Sequence, residues 1–108
     1  MSYTFYSCYN LTTAPEIPAS VISMSYTFFG CTNLATAPEI PSSVTNMNST
    51  FYQCYRLTGK LTINANPTSY SDCLNRAATN STLKLNGTST MLNEILATKS
   101  SNSNITIE

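Results

Sequence analysis

The sequence contains no histidine and no tryptophan, and only 9% of its 108 residues are charged. Without histidine the usual general base and the commonest zinc ligand are both missing. Net charge is zero, with five basic and five acidic residues. Nucleic acid needs a basic surface to meet its phosphates, so that class of partner is not expected. No apolar run approaches the roughly 20 residues that cross a bilayer, so membrane insertion is not expected either. Glycine is scarce, at three residues. Serine, threonine and asparagine make up 44 residues. A polar surface with so little charge correlates with extracellular or cell-surface β-rich proteins. No export signal follows Met1, and repeat sequence starts at once. The expectation is an excerpt of a longer exported protein.

What is present is a repeat. Residues 1–23 and 24–46 are identical at 16 of 23 positions. A fixed period of this length is expected to give stacked units, each packing on the one before. The period continues past residue 46 in weaker form, where a 22-residue step fits better. The expected units are 1–23, 24–46, 47–68, 69–90 and 91–108, one repeat domain with the last two units as a C-terminal cap. One short strand per unit is expected near 14–17, 37–40, 60–63, 82–85 and 104–107. Leu61/Ile63, Leu83/Leu85 and Ile105/Ile107 alternate with polar residues, as half-buried strands do. Pro15 and Pro38 weaken the first two, because proline donates no backbone hydrogen bond.

Opposite the strands, Phe5, Phe28 and Phe51 form one expected core column. Cys8, Cys31 and Cys54 form the next, and Leu11, Leu34 and Leu57 a third. Ile17, Ile40, Ile63, Leu85 and Ile107 form the inward strand column. Spacing of about three suggests a short helical or 3₁₀ turn in each unit. Ser69 and Asp72 have capping-box spacing before Cys73, which aligns with the phenylalanine column. The run 91–97 holds strong helix formers.

The pattern M-x-x-x-F-x-x-C-x-x-L-x-x-x-P-x-I-P-x-x-V, twice in residues 1–46 and partly in 47–57, resembles the BspA-like leucine-rich repeat of bacterial surface proteins. The resemblance implies a right-handed, curved α/β solenoid of about five coils, and adhesion to protein or glycan on host or neighbouring cells. By analogy with leucine-rich repeats, the outward strand face would be the contact surface, with Glu16, Glu39, Lys60, Thr62, Lys84 and Thr106. Tyr9 and Tyr55 are candidate aromatic contacts beside the cysteine column.

The chemistry of sites is thin. A full repeat between cysteines is not zinc spacing, so no metal, cofactor or catalytic residue is expected. The thiols read as small apolar core residues. Asn10, Asn48, Asn80, Asn86 and Asn104 begin N-x-S/T sequons. Residues 1–46 carry two acidic and no basic side chains, so their charge is −2 and that of the remainder +2. The first unit has full apolar consensus and no cap. Either further units precede it in the parent protein, or that uncapped end is covered by a partner or a second copy, so self-association there is a further expectation. Two other readings stand beside adhesion: a spacer or self-assembling segment of a surface protein, and a phage-encoded host-attachment protein.

Overall fold

A computed structural model describes all residues, 1–108. Four regular elements occur, all in the second half: β1 (Gly59–Thr62), β2 (Leu83–Asn86), α1 (Leu92–Leu96) and β3 (Ile105–Ile107). The strands form one parallel sheet in the order β1-β2-β3. Gly59 pairs with Leu83, 24 residues on, and Leu83 with Ile105, 22 residues on. Leu61, Leu83, Leu85 and Ile105 point into the core, while Lys60, Lys84 and Thr106 face out.

The expected five-coil α/β leucine-rich-repeat solenoid is corrected here. The chain forms a single compact domain of 30 × 26 × 20 Å with one three-stranded sheet and one helix of five residues. Its radius of gyration is 11.8 Å, against about 13 Å typical for a globular chain of this length. Strands do not form at 14–17 or 37–40, where only isolated bridges such as Thr13 to Thr36 and Ile40 to Ile63 occur. Pro15, Pro18, Pro38 and Pro41 interrupt these segments and supply no amide donors.

The expected helical turns around the phenylalanines are corrected as well. Tyr6 N donates to Tyr3 O and Cys8 N to Phe5 O, so the local turns are staggered by two residues. Tyr3, Ser7, Tyr26, Ser49, Gln53, Asp72 and Arg76 have positive φ, as does Gly30. A helix would use every N–H locally. Here alternate N–H groups are left to bond along the stack. Asp72, with φ 55, is no capping residue. The α1 helix follows Met91 at its N-cap, with no side-chain capping bond.

The register after residue 47 also differs from a 22-residue step. Phe51 N donates to Cys73 O just as Phe28 N donates to Thr50 O. Cys73 thus lies level with Thr50, Leu74 takes the place below Phe51, and Arg76 is level with Gln53. Leu74 and Ala77 are buried while Arg76 is exposed. The spacing is 23 in this arc, 24 between β1 and β2, and 22 between β2 and β3. Unequal arcs are possible because the connecting turns absorb single residues. Gly87 is one such place: at φ +116, a side chain there would collide with the Ile63 backbone.

The core is one cluster of 22 buried residues. Its largest members are Phe28, Phe51, Met24, Leu34 and Ile40, all fully enclosed. Phe5, Cys8 and Leu11 pack against this cluster but remain half-exposed.

Candidate functional site at the open end of a peptide ladder

Three peptide units in each level point along the stack. Tyr3 N donates to Ser25 O (3.1 Å), Phe5 N to Thr27 O (2.9 Å) and Ser7 N to Phe29 O (2.7 Å). The next level repeats this: Tyr26 N to Asn48 O, Phe28 N to Thr50 O and Gly30 N to Tyr52 O. The third does so again: Ser49 N to Ser71 O, Phe51 N to Cys73 O and Gln53 N to Asn75 O. The result is three parallel columns of head-to-tail peptide dipoles. Aligned peptide dipoles leave partial negative charge at the carbonyl end and partial positive charge at the amide end.

The two ends are treated differently. At the amide end, Leu74 N donates to Thr98 Oγ1 (3.0 Å) and Arg76 N to Ser100 Oγ (3.2 Å). The Thr98 hydroxyl is held in turn by donating to Ile95 O in α1. The last segment therefore closes two of three columns with hydroxyl oxygens, as a helix cap does. At the carbonyl end, Ser2 O, Thr4 O and Tyr6 O accept no hydrogen bond within the protein. Three acceptors lie in a row with no intramolecular donor.

The same end face is aromatic. Tyr3 stacks on Tyr26 at 4.9 Å between centroids, Phe5 on Phe28 at 5.4 Å and Tyr6 on Phe29 at 5.0 Å. The inner stacks continue, Phe28 on Phe51 and Phe29 on Tyr52. Tyr3, Phe5 and Tyr6 are thus the last rings of three stacks, each with a ring partner on one side only. Tyr3 and Tyr6 are 55% and 47% exposed, and Tyr9 60%. A hollow of about 540 Å³ lies beside them, lined by Phe5, Ser7, Cys8, Tyr9, Asn10 and Leu11.

The thiols follow the same polarity. Cys31 Sγ donates to Phe5 O and Cys54 Sγ to Phe28 O. Burial pushes the Cys31 thiol up to about 11 and Cys73 up to about 12, and raises Cys54 well above its ordinary range. All three stay protonated at neutral pH. Thiolate is the nucleophile, so these groups are inert. Cys8 alone is half-exposed, at the open end.

Of the outward strand residues, Lys60, Lys84 and Thr106 lie level across the sheet, and Glu16, Glu39 and Thr62 do not join that row. Glu16 and Glu39 line a separate depression of about 310 Å³ with Ile17, Ala19 and Pro41, where the prolines interrupt the ladder. Glu39 accepts from Asn64 Nδ2 at 2.8 Å. Thr62 donates to Asn86 Oδ1, Asn86 Nδ2 donates to Glu108, and Lys60 pairs with Glu108 at 2.9 Å. Lys84 and Thr106 are exposed on the same sheet. The Lys60 ammonium, by hydrogen bonding to Glu108, holds that carboxyl below the usual carboxylate range. Several of these polar groups thus bond to one another. Tyr55 is half-buried, and Tyr9 is exposed, its carbonyl tied to the next level by accepting from Asn33 Nδ2.

Sequence reasoning missed the carbonyls of Ser2, Thr4 and Tyr6, because backbone direction is not encoded by residue type. Only the recurrence of Tyr3 and Tyr26 at one position, and of Ser7 above Gly30 at another, hinted at a strained turn.

No protein-family model, curated protein or solved structure matches this chain. The BspA-like resemblance is therefore unsupported by comparison and, given the compact fold, is corrected. The adhesion role through an extended repeat face falls with it, since a compact domain with a three-stranded sheet offers no such face.

Proposed function

We propose that this domain is a non-catalytic packing module whose carbonyl-terminated end face joins further polypeptide, of its own chain or of a partner. The observation that carries this reading is the asymmetry of the ladder. Two of its amide columns end on Thr98 and Ser100, while Ser2 O, Thr4 O and Tyr6 O present acceptors beside open aromatic rings. Aromatic residues on a rigid support give contact area at low entropic cost. Backbone acceptors at regular spacing favour a partner with regular donors, as in strand addition. The absence of histidine and the protonated state of the buried thiols support a role without covalent or acid–base chemistry. The sparse charge and abundant hydroxyl and amide side chains support placement outside the cell or at its surface.

The test is peptide-display panning on the immobilised protein, counter-screened on Leu11→Glu. Leu11 lines the hollow and is half-exposed, so the variant is expected to remain folded, checked by its circular dichroism. Peptides retained by the native chain and lost by the variant are expected. Peptides insensitive to this change, or none selected, would overturn the reading.

A further inference from the structure

We infer that Asn86 is a latent self-modifying site: its side-chain amide condenses with the Gly87 backbone nitrogen, and the folded sheet holds that step off until this end of it opens. Asn86–Gly87 is the only Asn-Gly step in the chain. The attack forms a bond from Gly87 N to Asn86 Cγ and breaks the Cγ–Nδ2 bond. Ammonia leaves with the Gly87 N–H proton, and a five-membered imide remains. Water then opens the imide at either carbonyl, giving aspartate or isoaspartate. The balance is amide plus water to carboxylate plus ammonium, with water as the only co-reactant.

The nucleophile is free. Gly87 is exposed, has no side chain to crowd the attack, and its N–H donates to no acceptor in the protein. After Asn10, Asn48 and Asn102 the following N–H is engaged: Leu11 N donates to Cys8 O, Ser49 N to Ser71 O and Ser103 N to Ser100 O. Asn80 is the nearest rival. The N–H of Ser81 after it is also unbonded, but a side chain stands beside the attacking nitrogen.

The electrophile is latched. Asn86 ends β2 level with Thr62 of β1, on the outward face. Thr62 Oγ1 donates to Asn86 Oδ1 at 2.6 Å, and Asn86 Nδ2 donates to Glu108 Oε2 at 3.3 Å. Lys60 holds the other oxygen of that carboxylate at 2.9 Å. Ile63 N donates to Asn86 O at 2.8 Å and fixes the peptide that carries the nucleophile. Both ends of the amide are thus tied to groups on neighbouring chain segments, and Cγ must leave them to reach Gly87 N. The rate of conversion follows local opening of the sheet at this end.

Reclosing does not undo the step. Where Asn86 Nδ2 donated, the product presents a carboxylate oxygen to the Glu108 carboxylate, and like charges repel. The isoaspartate also adds one carbon to the main chain just before Gly87. Gly87 lies against the Ile63 backbone with no room even for a Cβ. It sits between the bonds from Ile63 N to Asn86 O and from Ser89 N to Ile63 O, and a lengthened chain cannot keep both. Conversion is therefore a one-way record of opening.

The experiment follows the full chain at pH 8 by mass-spectrometric peptide mapping and by loss of the Asn86 side-chain NH₂ signals in NMR. Slow conversion is expected in the native chain. Thr62→Val and Glu108→Ala, each checked for folding by circular dichroism, are expected to convert Asn86 about tenfold faster. The chain in urea is expected to be fastest, with Asn86 ahead of Asn80. Equal rates in the native chain, both variants and urea would overturn the latch. Conversion of Asn80 before Asn86 in urea would overturn the choice of site. Asn86→Asp supplies one product directly. Its Glu108 N–H, bonded to Leu85 O in the native chain, is expected to exchange faster. Unchanged exchange there would overturn the one-way step.

Discussion

Residues 1–46 and residues 59–108 stack along one axis, yet they are stabilised differently. The first part has no strand and no helix; the second has three strands and one helix. The first is acidic and rich in proline, with Pro15, Pro18, Pro38 and Pro41 where the second has its ladder. The second carries, just after its helix, two hydroxyls that satisfy the amides below. The first ends in free carbonyls and half-exposed rings. A close repeat in sequence therefore does not give equal stability along the stack. What each level gains depends on having neighbours on both sides, and within residues 1–108 the first level packs on one neighbour only.

The comparison can be broken most severely at Ile40, which is fully buried where the two parts meet and bridges to Ile63. Ile40→Asp is expected to abolish cooperative unfolding, because an unpaired carboxylate cannot be accommodated there. A folded variant in thermal denaturation would show that this column is not core. Next comes a pair of matched truncations. Phe51→Ala removes a ring enclosed on both sides and is expected to cost about 3–5 kcal/mol. Phe5→Ala removes the end ring of the same stack, and about 1 kcal/mol is expected from its smaller change in burial. Equal values in denaturant titration would erase the distinction between interior and end.

Thr98→Val tests the closed end. It keeps the shape and removes the acceptor for Leu74 N–H, at an expected cost of about 1–3 kcal/mol. The thiols sharpen the contrast without a stability change. Iodoacetamide at pH 8 is expected to modify Cys8 and to spare Cys31, Cys54 and Cys73, read by mass spectrometry of the native protein. Modification of Cys54 at a similar rate would mean that the stack opens in its middle.

The smallest effect lies at Glu108, exposed to solvent and paired with Lys60. Its folded pKa is lowered, so its contribution is present above the unfolded carboxylate pKa and is lost as pH falls through the folded value. Glu108→Gln is expected to be slightly less stable than the native chain near pH 7, with the difference vanishing in acid. A gap that persists below the carboxylate range would assign the effect to something other than the Lys60 pair.

Much of the core was legible in the sequence. Phe28, Phe51, Cys31, Cys54, Leu34 and Leu57 recur every 23 residues and are buried together. The alternation of Leu83 with Leu85 and the buried Leu61 marked strand positions in the sheet that forms, and Ile63 lies just past the end of β1. The prolines were legible too, but their consequence was larger than expected, since neither of the first two levels has any strand. The register beyond residue 57 was misread because a uniform 22-residue step set Cys73 under Phe51, where the stacking bonds keep a 23-residue step. Its neighbour Leu74 is the residue that fills the phenylalanine position. The positive φ values at Tyr3, Ser49 and Gln53 were illegible, because such residues adopt them only when the stacking bonds compensate the strain. The curved solenoid was inferred from family pattern, and that pattern does not specify how compactly short levels close on one another.

The open acceptor end can be tested most directly by amide hydrogen exchange followed by NMR. Along one column, Phe5, Phe28 and Phe51 each donate to the next level with nearly equal geometry, at 2.9, 3.0 and 2.9 Å. A level without a neighbour above it should open first. The expected order is fastest exchange at Phe5 and much slower exchange at Phe28 and Phe51, with Leu74 protected by the Thr98 hydroxyl. Uniform protection from Phe5 to Leu74, or faster exchange at Leu74 than at Phe5, would contradict an open end at residues 2–7 and a closed one at residues 98–100.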